Sequence, residues 1–210
     1  MKHYHRLIII VTFSLFIAAN DLYGQSWDFI KEVEGIKIYT RKEVNSSLKS
    51  FKGEIMFKAN TDKVYLIVGN AKNLDWWDKS IIEIKVLDFV QNKSARYYLV
   101  YDVPWPLSRR DLVLEAQIST DPVTGDRTVF SKPLFNVIPE KPGLVRIKKY
   151  WQKWTIQTME NGYVHVILEG FVDPGGNIPS WLYNTVITET PLKVMKALRD
   201  RVLSSKPAVQ

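Results

Sequence analysis

The stretch that decides the fold reads Asp173-Pro-Gly-Gly-Asn-Ile-Pro-Ser-Trp-Leu-Tyr-Asn184. Its paired glycines indicate a tight turn that ends one element of structure. Asn177 is placed to cap a following helix, and Pro179 is placed to pre-set its first turn. The stretch therefore marks the point at which the chain begins its last helix.

The residues after this stretch predict one long amphipathic helix that continues to about Ser204. Apolar residues recur there at helical spacing and make a single stripe: Ile187, Pro191, Val194, Leu198 and Val202. Pro191 lacks an N–H group and its ring crowds the preceding turn, so we expect a kink at this residue. A helix with one apolar stripe needs a surface to pack against.

Upstream of this helix, segments rich in β-branched and aromatic residues alternate with turn signals and predict a sheet. The predicted strands are Ile36–Thr40, Ser50–Phe57, Ile82–Phe89, Ala95–Val103, Leu112–Ser119, Arg127–Ser131, Leu144–Tyr150, Trp151–Gln157 and Tyr163–Val172. Their short connections favour antiparallel pairing. A change of phase near 149–151 predicts a bulge that bends the sheet.

A short helix is predicted between the second and third strands, capped by Asn60 or Thr61 and running to about Ala71. Together the elements predict an α+β fold, in which a curved antiparallel sheet wraps the long C-terminal helix.

The N-terminal residues have the layout of a secretory signal peptide. Lys2 and Arg6 precede an uncharged, mostly apolar run of about 13 residues, Leu7–Ala19. A membrane span needs about 20 such residues. We expect residues 1–24 to be a signal peptide, 25–203 a single domain and 204–210 a frayed tail, in an exported, periplasmic protein. An uncleaved membrane anchor is the alternative, because Leu22 stands where a cleavage site prefers a small residue.

Composition excludes several classes of function. The 210 residues include no cysteine, which rules out disulfides, thiol catalysis and cysteine-ligated metals. The net charge is +7, but the basic residues are scattered, whereas nucleic-acid binding shows a concentrated basic stripe. Aromatic residues make up 12% of the chain, which suits either a core of large side chains or an aromatic-lined pocket.

The sequence shows no convergent set of catalytic groups. His165 is the one histidine outside the leader, so a zinc site with two or three histidines is excluded. His165 and Glu169 share a strand face but stand roughly 13 Å apart, too far to hydrogen-bond. Asp75 and Asp78 flank two tryptophans in a segment typical of a solvated loop. We expect no catalytic residue, no metal and no cofactor.

A second unusual string reads Asp102-Val-Pro-Trp-Pro-Leu-Ser-Arg-Arg-Asp111 and joins two predicted strands. Its two prolines cannot donate ladder hydrogen bonds, so the strand must stop there. Arg109 or Arg110 can pair with Asp102 or Asp111. We interpret the string as a rigid loop with a structural ion pair.

The two strings resemble the START (steroidogenic-acute-regulatory-related lipid-transfer) domain family. Its members carry a proline followed by an Arg-Asp-x-Val element between two central strands, here Pro106 to Val113 with Arg110 and Asp111 as the pair. They also carry Gly-x-Ile-Pro-x-Trp-Leu-x-Asn at the opening of the final helix, here Gly176 to Asn184. The order and spacing of these motifs are similar to the family over nearly the whole mature chain.

The resemblance implies a helix-grip fold, in which the sheet wraps a hydrophobic tunnel and the C-terminal helix acts as its lid. It also implies a lipid, sterol or similar hydrophobic ligand, held without a metal or a chemical step. Some sterol-binding relatives place an arginine in the cavity at the position of Ala116, with an acidic partner in the region near Tyr97. The family's sterol preference is therefore not expected here.

We expect the ligand to contact both the sheet and the early turns of the last helix. The candidate ligand-binding residues are Tyr101, Trp105, Trp151 and Tyr163 on the sheet and Leu182, Thr185, Val186 and Glu189 on the helix. The expected partners are a lipid or other hydrophobic small molecule and, transiently, a membrane surface, with no nucleic acid. The oligomeric state is left open.

Two alternatives make different predictions. A helix-grip enzyme, such as a cyclase, requires His165, Glu169 or Glu189 to face one cavity. A ligand-free interaction module requires a filled core and an exposed apolar patch.

Overall fold

The described part of the chain forms one ten-stranded sheet and three helices. The computed structural model describes residues 26–70, 77, 79–103 and 107–204. Its strands are β1 (Asp28–Val33), β2 (Ile36–Lys42), β3 (Lys49–Lys58), β4 (Ile81–Val90), β5 (Ser94–Tyr101), β6 (Arg109–Thr120), β7 (Arg127–Pro133), β8 (Leu144–Arg146), β9 (Lys149–Thr158) and β10 (Tyr163–Asp173). Its helices are α1 (Thr61–Val68), α2 (Ser180–Val186) and α3 (Glu189–Ser204). None of these helices has both the length and the apolar character needed to cross a bilayer.

The strands pair in the spatial order β1-β2-β3-β10-β9-β7-β6-β5-β4. Every neighbouring pair along this path is antiparallel. The predicted α+β fold with a curved antiparallel sheet is therefore confirmed. The strand β1 was not predicted. Its large apolar residues Phe29, Ile30 and Val33 lie exposed on an edge strand and do not alternate with polar ones.

The predicted strand Leu144–Tyr150 is wrong in its length and in its pairing. The strand β8 ends at Arg146 and pairs in parallel with β6. The N–H of Ile147 then donates to the carbonyl of Asp111 at 2.9 Å, and the chain leaves β6 before β9 begins. The bulge expected near 149–151 is thus a change of strand, two residues earlier in the chain.

The predicted C-terminal helix is in fact two helices. The first, α2, ends at Val186, and α3 begins at Glu189. Pro191 lies in the first turn of α3, and in a continuous helix its ring would crowd the carbonyl of Ile187. The kink expected at Pro191 therefore falls at 187–188, one turn earlier.

The helix also starts differently from the prediction. The cap residue is Pro179, with φ −59° and ψ 133°, and it makes no side-chain cap hydrogen bond. Its carbonyl accepts the N–H of Tyr183 at 3.1 Å. Asn177 lies before the cap and does not serve as one. An extended ψ at the proline turns the chain into the helix without a polar side chain.

The short helix begins where the sequence predicted. The Oδ1 of Asn60 accepts the N–H groups of Asp62 at 2.8 Å and Lys63 at 3.2 Å. The helix α1 ends at Val68, and its predicted end at Ala71 lies outside the described residues.

The helix α3 packs on β2 and β3 and also contacts α1. We call the face of the sheet that carries it the inner face. The buried residues of α3 are Pro191, Val194, Met195, Leu198 and Val202. Gly53 on β3 permits the close approach, because a Cβ at this position would lie only 3.0 Å from the Pro191 Cβ. The hydrophobic core therefore sits between this helix and the inner face.

Candidate ligand-binding cavity

A cavity of about 250 Å³ lies between the inner face of the sheet and the break between α2 and α3. Its aromatic lining residues are Phe51, Trp77, Tyr101, Tyr150 and Tyr183, and its polar ones are Ser80, Arg110, Gln152 and Thr190. Its aliphatic lining comes from Val103, Leu112, Ile147, Val172, Pro174, Ile178, Val186 and Ile187. A smaller void of about 30 Å³ continues towards α1 and shares Trp77 and Gln152 with it.

The period of two along each strand decides which side chains reach this cavity. The inner-face positions of β6 and β9 at the cavity and its extension are Arg110, Leu112, Leu114, Tyr150, Gln152 and Trp154. On the outer face of β5 and β6, Tyr98, Val100 and Val113 form a second small core. Both faces of these strands are therefore buried, which is why the sequence does not alternate cleanly there.

The helix α2 borders the cavity through Tyr183 and Val186. Val186 lines the cavity and yet is 51% exposed, while Trp181 is 70% exposed on the outer side of the helix. Asn184 ties the helix to the loop between β2 and β3. Its Oδ1 accepts the N–H of Lys49 at 2.9 Å, and its Nδ2 donates to the carbonyl of Ser47 at 2.9 Å.

Asp111 makes a buried ion pair with an arginine that the sequence analysis did not name. Arg146 donates from Nε to Oδ1 and from Nη2 to Oδ2 of Asp111, both at 2.8 Å. The two side chains are 1% and 8% exposed, and the hydrogen bond to Asp111 raises the pKa of Arg146. The sequence allowed Arg109 or Arg110 to pair with Asp102 or Asp111, and the structure has the combination of Arg109 with Asp102, at 2.9 Å.

The guanidinium of Arg110 joins the two sequence motifs. Its Nε donates to the carbonyl of Pro174 at 3.3 Å and its Nη2 to that of Gly175 at 3.4 Å, while its Nη1 donates to the carbonyl of Ser108. Arg110 is 3% exposed and lines the cavity. Burial lowers the pKa of this guanidinium below its ordinary value. The motif arginine thus holds the turn before α2 against the start of β6.

Burial raises the pKa of three tyrosines that line the cavity or its extension. The pKa of Tyr97 rises to about 12, and those of Tyr150 and Tyr183 also rise above their ordinary value. These hydroxyls are therefore protonated near neutral pH and can donate hydrogen bonds. The hydroxyl of Tyr150 is buried and has no hydrogen-bond partner among the described residues. Apolar walls with a few convergent polar groups are typical of a small-molecule site.

The structure brings two of the eight candidate residues to the cavity, Tyr101 and Val186. Trp151 and Tyr163 lie on the outer face of β9 and β10. The ring centroid of Trp151 lies 6.0 Å from the guanidinium of Arg41. Side chains alternate between the two faces along a strand. Trp151 and Tyr163 each stand next to a residue that faces inward, so their own side chains face outward.

The remaining four candidates have other surroundings. Leu182 and Thr185 belong to α2 but do not line the cavity, and the hydroxyl of Thr185 donates to the carbonyl of Trp181 at 2.8 Å. Glu189 makes an ion pair with Lys31 on β1. Trp105 lies outside the described residues.

Several lining residues were not predicted. They include Trp77, Tyr150, Gln152, Tyr183 and Ile187. A signal for two of them was present, since Tyr150, Gln152, Trp154 and Ile156 recur at every second position. The aromatic side chain of Trp151 favours a lining role for that residue, but this alternation places it on the opposite face.

None of His165, Glu169 and Glu189, the groups named for the enzyme alternative, lines the cavity. His165 lies on the outer face, with Nδ1 3.1 Å from the Oε1 of Gln157. Glu169 lies on the same outer face, with its carboxylate 3.9 Å from the Nζ of Lys153. Among the described side chains, no cluster of three or more histidine or acidic groups is arranged to hold a metal ion.

Comparison with known proteins places this architecture in a family. The sequence profile of the START domain matches residues 15–207. The chain belongs to the START family. The mouse phosphatidylcholine transfer protein is 31% identical to this START domain over 174 residues, which cover 78% of this chain and 77% of that protein. An uncharacterized protein of Pseudomonas aeruginosa is 29% identical over 204 residues, or 95% of this chain and 98% of the relative.

A solved structure agrees with the family assignment. The STAR-related lipid transfer protein from Xanthomonas axonopodis is 32% identical and superimposes with a TM-score of 0.76, covering 85% of this chain and 99% of that one. The resemblance seen in the two sequence motifs is therefore confirmed at the level of family and fold.

Proposed function

We propose that this START domain binds a lipid or a similar hydrophobic molecule in its cavity and carries or senses it without a chemical step. The observation that carries the proposal is the cavity of about 250 Å³, which is walled by aromatic and aliphatic side chains and bordered by α2. Burying an alkyl chain there gains about 0.8 kcal/mol per CH₂, so retention needs no covalent bond. The relatives named as lipid transfer proteins support the same class of ligand.

The cavity has to widen for a ligand with two long chains. Pockets for small molecules occupy about 300–1,000 Å³, and this one lies just below that range. The break at 187–188 lets α2 move while α3 stays packed, because the two helices do not share a continuous backbone ladder there. The exposed side chains of Trp181, Leu182 and Val186 give α2 an apolar surface for transient contact with a membrane.

Export to the periplasm is part of the proposal and rests on the N-terminal sequence, which lies outside the described residues. The expected result is a mature protein that lacks residues 1–24. Intact-mass measurement of the protein recovered from cells tests this expectation. A mass that includes the leader would favour the uncleaved membrane anchor.

A cyclase-like enzyme is the alternative. It needs acid and base groups in the cavity, whereas His165 and Glu169 lie on the outer face and Glu189 pairs with Lys31. The cavity's own polar groups, Arg110 and Tyr150 among them, suit binding by hydrogen-bond donors better than proton abstraction.

The proposal is tested by extraction of a fluorescent phospholipid from vesicles. Val172 points into the cavity from β10, so Val172→Trp fills it. If the indole displaces two methylene groups of the lipid from the cavity, the affinity for the lipid falls about tenfold. We expect extraction by this variant to fall by at least that factor.

Tyr163→Trp is the matched control, because it places the same indole on the outer face of the same strand. Extraction by this variant should equal that of the wild type. Equal extraction by all three proteins would contradict binding in the cavity. A ligand recovered with an altered mass would instead favour the enzyme.

A further inference from the structure

Two polar groups of the cavity, on Arg110 and Tyr150, are available to donate hydrogen bonds to a bound molecule. Arg110 has five N–H donors, and its acceptors among the described residues are three backbone carbonyls. No carboxylate of the described residues lies within 4.0 Å of its guanidinium, since Asp111 pairs with Arg146 and Asp102 with Arg109. A buried cation without a carboxylate partner is costly unless an anion meets it.

The hydroxyl of Tyr150 is the second group of this kind. Tyr150 lines the same cavity, and its buried hydroxyl has no hydrogen-bond partner among the described residues. Because burial raises its pKa, this hydroxyl remains a donor near neutral pH. A buried donor without an acceptor is destabilising, and a bound acceptor removes that cost.

Both groups line the same cavity and neighbour Tyr101. Tyr101 lies directly opposite Arg110 in the register of β5 and β6. Tyr101 is also close enough to Tyr150 to contribute to the rise in its pKa. Around them the wall is apolar, with Leu112 and Ile147 nearby in the lining. The cavity thus combines these donors with apolar walls.

We propose that Arg110 and Tyr150 form a subsite for the anionic group of the ligand, a phosphate or a carboxylate, while the acyl chain fills the apolar part of the cavity. This inference rests on the proposed function. It makes the ligand an anionic or zwitterionic amphiphile and disfavours a neutral lipid of the same chain length. Guanidinium and phenol donors together match the oxygens of such a group.

The test compares three single-chain probes that share one acyl chain: palmitic acid, 1-palmitoylglycerol 3-phosphate and the neutral 1-palmitoylglycerol. Binding is followed by the intrinsic fluorescence of tryptophan, because Trp77 and Trp154 line the cavity and its extension. We expect at least one anionic probe to bind about tenfold more tightly than the neutral probe, as one or two charge-assisted hydrogen bonds would give. The tighter of the two anionic probes distinguishes a carboxylate from a phosphate ligand.

Tyr150→Phe removes only the hydroxyl and should reduce the preference for the anionic probe several-fold while leaving the neutral affinity unchanged. Tyr98→Phe is the matched control, because its hydroxyl is buried in the small core on the outer face. Arg110→Lys keeps the positive charge but loses the planar guanidinium that can donate two parallel hydrogen bonds. It should therefore reduce the preference for the anionic probe further. Since Arg110 also holds three carbonyls, the Tyr150 variant decides the matter if the lysine variant does not fold.

Equal affinity of wild type for all three probes would overturn the subsite and leave the cavity as a general hydrophobic site. An equal loss for neutral and anionic probes in Tyr150→Phe would overturn it as well. Failure of wild type to bind any of the three probes would overturn the proposed function itself.

Discussion

Asp111→Ala should lower the free energy of unfolding by about 3–5 kcal/mol, because it leaves the buried guanidinium of Arg146 without its carboxylate. That loss is a large part of the stability of a typical domain, about 5–15 kcal/mol. Urea unfolding followed by tryptophan fluorescence measures it. The reason is positional: this ion pair joins β6 to β8 and fixes the point where the chain crosses to β9.

Asp102→Ala is the control for this prediction, since it breaks the neighbouring Asp102–Arg109 pair. Both of those side chains are more than half exposed, so the loss should stay below about 1 kcal/mol. A similar decrease in the free energy of unfolding for the two aspartate variants would mean that burial does not determine how much each ion pair contributes to stability.

Leu198→Ala should lower the free energy of unfolding by about 2–5 kcal/mol. Leu198 is fully buried where α3 packs on the sheet, and truncation leaves a hole at this contact. We also expect faster release of a bound lipid, because α3 supports the break on which α2 moves. Chemical unfolding and the rate of lipid release measure the two effects.

Leu203→Ala is the matched control on the same helix, because Leu203 is 61% exposed. Its effect should remain within about 0.5 kcal/mol. A Leu198 variant as stable as the Leu203 variant would contradict the packing of α3 described above.

The sequence predicted those parts of the fold that depend on local signals. The cap at Asn60 and the apolar stripe with Val194, Leu198 and Val202 are examples, because their evidence lies within one or two turns of helix. The family resemblance added the overall architecture.

Long-range partners could not be predicted in this way. Arg146 lies 35 positions from Asp111, and nothing in the spacing distinguishes it from the other arginines. The close approach of Pro191 to Gly53, where a Cβ would lie 3.0 Å from the Pro191 Cβ, is a second long-range contact that spacing does not reveal.

The site was predicted less well than the fold. Side chains alternate between the two faces of a strand, so an error of one position puts a residue on the wrong face. Trp151 lies on the outer face, while its immediate neighbours in sequence, Tyr150 and Gln152, lie on the inner face. Strand β5 is buried on both faces, so hydrophobicity alone does not reveal which of its residues reach the cavity. The sequence also does not show which side of α2 faces the cavity. That orientation is set by contacts of the helix with the rest of the fold, such as the hydrogen bonds of Asn184 to Ser47 and Lys49.

The most direct test of lipid binding in the cavity is native mass spectrometry of the mature chain, purified without detergent. The account predicts a wild-type protein that carries an additional mass, released on denaturation and identified as a lipid after organic extraction. Tyr163→Trp should carry the same mass and Val172→Trp should be largely empty. A wild-type protein that stays empty after incubation with vesicles of mixed phospholipids would contradict the account.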